Sequence, residues 1–268
     1  MSIEPNQDYF SFKVGQEGPL DKKIKDLIFR ATTFIVYIDE DNTIQWSTRE
    51  YGEFHDDFGD IQNKISYWES VSNKLFKKKE SYDYKCLLAE AYARILDDKN
   101  VKMANQIIDR TVNRIQKQGQ EILKQNYVLT SFFCTLFVIL ILILIVIFYP
   151  QVLTVINQDV YEILMTTLFG GIGAFVFTVI RLRKYTPEIV ISKNVHRIDG
   201  ALRIFFGLVS GLIIAIGIKS NIFFGFLDGK EGISIYVKAF LGIVGGASEV
   251  LIPNLIKQIE DKSANGTK

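Results

Sequence analysis

From Tyr127 to Tyr149 the chain reads YVLTSFFCTLFVILILILIVIFY, without a charge, a glycine or a proline. At about 1.5 Å per helical residue, such a run crosses a hydrocarbon core about 30 Å thick. A helix buried in a soluble protein seldom stays apolar on every face over this length, so the pattern predicts a transmembrane helix. Three more apolar stretches follow: ILMTTLFGGIGAFVFTVI (163–180), ALRIFFGLVSGLIIAIGI (201–218) and ISIYVKAFLGIVGGASEVLIP (233–253), the last being the least hydrophobic. Each is predicted to span the bilayer.

Ahead of the first span the pattern is that of a soluble domain. Residues 19–30 place Leu20, Ile24, Leu27 and Ile28 on one side of an amphipathic helix. TTFIVYIDE (32–40) is rich in β-branched and aromatic residues and predicts a strand. Asp41-Asn42 supplies turn chemistry, and TIQWST (43–48) returns as a second strand. After an acidic, aromatic loop at 49–60, the period changes. Ile61, Ile65, Trp68, Val71 and Leu75 form a helical stripe over 61–76, and further helices are predicted over 84–98 and from about Asn100, a good N-cap, towards the membrane. The segment LLAEAYARILDDKNVKMANQIIDRTVNRI (87–115) resembles one tetratricopeptide-type hairpin, but a single copy does not make such an array, which needs about three. An ordinary helical hairpin is the expectation.

The whole is therefore expected to be an α-helical polytopic membrane protein of four transmembrane helices with a small N-terminal α+β, mostly helical cytosolic domain. Residues 1–125 form the cytosolic domain, whose last helix leads into the membrane. Residues 126–256 form the transmembrane domain, and 257–268 a cytosolic tail.

Composition sharpens this division. Residues 1–125 hold 19 Lys/Arg and 21 Asp/Glu, against 12 and 9 in residues 126–268, and fourteen of the 19 glycines fall in the second part. The net charge of +1 gives no reason to expect a nucleic-acid partner. The N-terminus lacks the basic and apolar regions of a signal peptide. Cys86 and Cys134 fall one in each part, so no disulfide is expected and a reducing compartment fits. Four basic residues (Arg110, Arg114, Lys117, Lys124) precede the first span, the loop between the first two spans has none, and the next loop carries Arg181, Arg183, Lys184, Lys193 and Arg197. The positive-inside rule then puts both termini on the cytosolic side of the inner (plasma) membrane.

Two groups of intramembrane residues stand out. Gly170 and Ala174, Gly207 and Gly211, and Gly242 and Gly246 are each four apart, which makes flat helix faces suited to close packing. Arg203 and Glu249 are predicted at similar depth near the cytosolic ends of the third and fourth spans, and are expected to pair, with Arg181 as the substitute cation. Lys238 is expected to snorkel outward. Gly119 weakens the helix leading into the membrane and is a candidate hinge.

The stretches GGIGAFVFTVIRL (170–182), RIFFGLVSGLIIAIGI (203–218) and GGASEVLIPNLI (245–256), with the basic loop between the first two, resemble a four-span module of bacterial membrane proteins, some of them encoded beside anti-phage defence genes. The resemblance covers about 130 residues and implies a reused membrane part with a variable cytosolic part; it supplies no catalytic residues.

Catalytic chemistry is weakly represented. The two histidines, His55 and His196, and two separated cysteines are too few for a zinc site. His55-Asp56-Asp57 lacks the further histidines that a metal-dependent phosphohydrolase requires. Gly170-Gly171-x-Gly173 lies in an apolar span, so it is no nucleotide loop. Ser248-Glu249 has no general base for an intramembrane protease. No enzyme activity, cofactor or metal is expected. The leading function is an effector or sensor whose cytosolic domain recognises a ligand or partner and acts through an oligomeric bundle on the lipid bilayer, in an antiviral setting; the alternative is a non-catalytic scaffold that anchors a protein-interaction module. A transporter is a third reading, for which Gly170-Gly171 and Gly245-Gly246 are loosely corresponding glycine pairs.

Overall fold

The computed structural model describes residues 9–49, 57–97, 100–189, 192–220 and 234–248. It divides into two compact units: Met1–Ile122 with Glu188–Val190, and Leu123–Pro187 with Ile191–Lys268.

The first unit holds an antiparallel sheet in the order β1 (Ile24–Arg30), β2 (Phe34–Asp39) and β3 (Ile44–Thr48). The helix expected over 19–30 is thus replaced by a strand, and the reason is visible in the register. β1 slips against β2 between Ile24 and Asp26 and again between Leu27 and Phe29. The first irregularity lets Ile24 and Leu27, three apart, join one apolar cluster, while Ile28 and Phe29 pack into the other. A bulged strand imitates the spacing of a helix in this way. Asn42, at the β2–β3 turn, takes the left-handed conformation (φ 59°), and Asp39 Oδ1 accepts from Thr43 N–H at 2.8 Å.

One face of the sheet packs on α1 (Phe58–Leu75) and α2 (Lys78–Asp97). Phe34, Val36, Ile44, Phe58, Ile61, Ile65, Leu88 and Tyr92 form that core with Ala104 and Ile108 of α3 (Val101–Ile147). The other face is covered by a 3-10 turn at Tyr9–Ser11, with Tyr9 and Phe12 against Ile24, Ile35 and Tyr37. Asn100 opens α3, its Oδ1 accepting from Met103 N–H at 3.0 Å.

The second unit contains the later part of α3, then α4 (Tyr149–Val155), α5 (Gln158–Arg181), a 3-10 turn at Leu182–Lys184, α6 (Lys193–Lys219) and α7 (Ile235–Ala247). Among the described residues, three helices are long and apolar enough to cross a membrane: α3, α5 with its 3-10 extension, and α6. This is the pattern of a multi-pass membrane protein. Of the expected fourth span, 233–253, residues 233 and 249–253 lie outside the described residues, and the described part contains α7, an apolar helix of 13 residues where a crossing takes roughly 20.

Candidate functional site

The closest packing in the second unit centres on α5. A Cβ added at Gly170 would sit 2.9 Å from Gly211 Cα and nearer still to Gly207 O, and one added at Gly246 would overlap Gly170 O. Gly242 abuts Thr166 O, and Gly211 lies against the Thr166 and Thr167 carbonyls, each 2.9 Å from its would-be Cβ. Ala174 Cβ fills the space in front of Gly207. The six small residues singled out in the sequence therefore lie along α5–α6 and α5–α7 contacts, where backbone meets backbone. Gly170 serves both partners at once.

The pairings also define direction. Gly242 with Thr166, Gly246 with Gly170, and Lys238 with Glu162 keep a constant offset of 76 residues, so α7 runs parallel to α5. α6 runs antiparallel, its Gly207 meeting Ala174 and its Gly211 meeting Thr166 and Thr167.

That register brings Lys238 Nζ onto Glu162 Oε2, with side chains 17% and 22% exposed. The outward snorkelling expected of Lys238 is corrected here: α7 turns it inward onto a carboxylate one turn into α5. Nearby, Lys219 at the end of α6 pairs with Asp159, a more exposed contact at 50% and 61%. Sequence reading missed Glu162 because the span was taken to start one residue later. In Glu162→Gln, Lys238 loses its counter-ion in a largely dry site. Breaking a fully buried pair costs about 3–5 kcal/mol, and partial exposure reduces this to about 1–3 kcal/mol. Thermal unfolding in detergent should show that loss, and the charge-swapped pair Glu162→Lys with Lys238→Glu should recover most of it.

Arg181 and Arg203 share one aromatic ring: their guanidinium carbons lie 4.4 and 4.8 Å from the centre of Phe177. Both cations thus find a quadrupole partner that the sequence did not suggest. Glu249, their expected carboxylate, lies outside the described residues.

A second polar cluster joins α3, the segment after the 3-10 turn, and α6. Tyr127 stacks on Tyr185 at 4.8 Å, and Tyr185 Oη lies 3.0 Å from Nδ1 of the buried His196. Asp199 Oδ2 is 4.0 Å from the same nitrogen. Burial, with the Asp199 charge beside it, pushes the Tyr185 phenol above its ordinary range. The Ser131 hydroxyl is 3.0 Å from both Tyr127 O and Gly200 O, tying α3 to α6.

In the first unit, Lys85 is buried under the β2–β3 turn. Its Nζ donates to Asn42 O and lies 3.8 Å from Glu69 Oε1, which accepts from Ile44 N–H at 3.0 Å. Burial pulls Lys85 below the ordinary lysine value and pushes Glu69 above the ordinary carboxylate value, each opposing the other's shift. A perturbed buried lysine is a common mark of catalysis. Here its contacts hold the hairpin tip to α1 and α2, which makes it a structural clasp.

Gly119 lies in the uninterrupted helix α3, and a Cβ there would stand 3.0 Å from Leu75 Cδ1. Close packing by Leu75 is thus one reason for a glycine at this position. Among the described residues, no group of three or more His, Cys, Asp or Glu is placed to hold a metal ion. His55 lies outside the described residues. No known protein family, curated protein or solved structure matches the chain.

Proposed function

We propose that the protein is a membrane-anchored effector or sensor. Its N-terminal unit recognises a ligand or partner on the cytosolic side of the inner membrane. α3 carries the resulting change to the α5–α6–α7 assembly, which acts as a homo-oligomer to perturb the bilayer, in a setting such as anti-phage defence. The observation that carries this reading is the continuity of α3: the boundary between the two units falls after Ile122, inside a single 47-residue helix. A change of twist or position in such a helix has no loop in which to dissipate.

The test is membrane potential in cells expressing the full chain. Depolarisation is expected with the unaltered protein and should vanish in Gly119→Pro, where the proline removes one helical hydrogen bond and kinks the helix at a cost of about 3 kcal/mol. Gly119→Ala separates hinge from packing. If Gly119 is only a packing position, alanine raises helix propensity by up to about 1 kcal/mol, displaces the flexible end of Leu75, and leaves the potential response intact. If Gly119 is a joint, the response falls while stability does not. An unchanged potential under every inducing condition would sink the effector reading.

The scaffold reading draws on a different observation, the separate core of the first unit between the sheet, α1 and α2. Exchanging the spans for an unrelated membrane anchor distinguishes the two. Activity retained after the exchange supports the scaffold, and activity lost supports the effector.

A further inference from the structure

The outer edge of β1 is divided in two. Its beginning is paired with residues 15–18: Gly15 N–H donates to Ile24 O, Ile24 N–H to Gln16 O and Gly18 N–H to Lys22 O, each at 2.8 Å. The next stretch, 26–29, borders a groove of about 480 Å³ whose far wall is α2. Successive strand residues point to opposite faces of a sheet. A cavity touching all four therefore runs along the strand's edge. On α2 the wall carries Cys86, Glu90 and Arg94, spaced four apart on one helical stripe that overhangs this edge. The space is that of a missing fourth strand beneath the helix, about 13 Å long at 3.3 Å per residue.

Two further observations bear on what fills it. Arg94 Nε is buried without an acceptor among the described residues, although Nη2 reaches Glu90 at 3.4 Å. A buried N–H without a partner is costly, and a strand carbonyl laid along β1 would supply one. The carboxylates of Asp26 and Glu90 outnumber the single Arg94, so the groove is net negative.

We propose that this groove docks an extended segment of a partner protein, about four residues long, apolar where it meets Leu87 of α2 and carrying a lysine or arginine. Main-chain pairing with β1 gives affinity, as in strand addition to other exposed sheet edges. One main-chain carbonyl accepts from Arg94 Nε, and the basic side chain faces Asp26 and Glu90. The register slips of β1 limit the regular ladder, which is why the segment is short. The proposal rests on the N-terminal unit being the recognising part.

Selecting a library of random decapeptides on the detergent-solubilised full chain tests it. Enriched sequences should combine an apolar residue with a basic one. A synthetic peptide of that sequence should slow amide exchange at residues 26–29. Its affinity should fall about tenfold in Arg94→Lys, which keeps the charge and loses Nε, and disappear when alternate peptide amides are N-methylated. Failure to enrich any peptide, binding that ignores both changes, or occupation of the edge by a second copy of the chain, seen as self-association lost in Arg94→Lys, would each overturn it. Peptide binding as expected with no change in membrane potential would keep the docking site and remove the effector reading. A potential response abolished by Gly119→Pro with no peptide bound would do the reverse.

Discussion

Leucine in place of Gly170 will unseat α6 from α5. At most packing positions an added side chain meets other side chains, which shift at a cost of about 1–3 kcal/mol. At Gly170 there is nothing soft to move: the first carbon added meets Gly207 O and Gly211 Cα on one helix, while Gly246 of the other already lies against the Gly170 carbonyl. Even Gly170→Ala forces the axes of α5 and α6 apart, and with them the contacts of Gly207 and Gly211. The expected result is loss of a cooperative thermal transition in detergent for Gly170→Leu and a lowered one for Gly170→Ala. Cross-linking of cysteines introduced on facing positions of α5 and α6 should fall in the same order. Gly59 is the control: it lies in α1 with open space around its would-be Cβ, so Gly59→Ala should be neutral or stabilising by up to about 1 kcal/mol. Equal tolerance at Gly170 and Gly59 would show that the α5 contacts are not what holds the assembly together.

The contrast between these two glycines bears on what a sequence can disclose. The spacing of Gly170, Gly207, Gly211, Gly242 and Gly246 marks flat faces, but not which face meets which; that follows from helix direction and register, and so does the Glu162–Lys238 pair. β2 and β3 were legible from their β-branched and aromatic residues and the Asp41-Asn42 turn between them, and α1 from its apolar helical stripe. β1 was not, because two register slips put its apolar residues at helical spacing. The expected ion pair of Arg203 could not include Phe177, since a ring that serves two cations leaves no charge pattern to read. Lys85 and Glu69 were equally silent: each sits in a charged, amphipathic helix, and only the fold shows that both lie beneath a turn.

Lys85→Met will loosen that turn, and the loss will depend on pH. The methionine fills similar volume but leaves Asn42 O without its donor and the Glu69 carboxylate without its nearest cation. For a charge this buried, removal of the partner costs about 3 kcal/mol. Burial already holds Glu69 above the ordinary carboxylate value, with the Asp39 charge adding to it and Ile44 N–H and Lys85 opposing it. The folded chain therefore binds that proton more tightly than the unfolded chain. Glu69 favours folding most below the ordinary carboxylate value, and this contribution is lost as pH rises through its folded value. Removing Lys85 raises the folded value further. The destabilisation by Lys85→Met should thus be largest at neutral pH and shrink on acidification, as read from amide exchange over residues 39–45 of the full chain. Adding Glu69→Gln, which keeps an acceptor for Ile44 N–H without the charge, should restore much of the stability and abolish the pH dependence. A penalty that stays constant from neutral to acid pH, or that Glu69→Gln fails to relieve, would mean that Lys85 works through Asn42 alone.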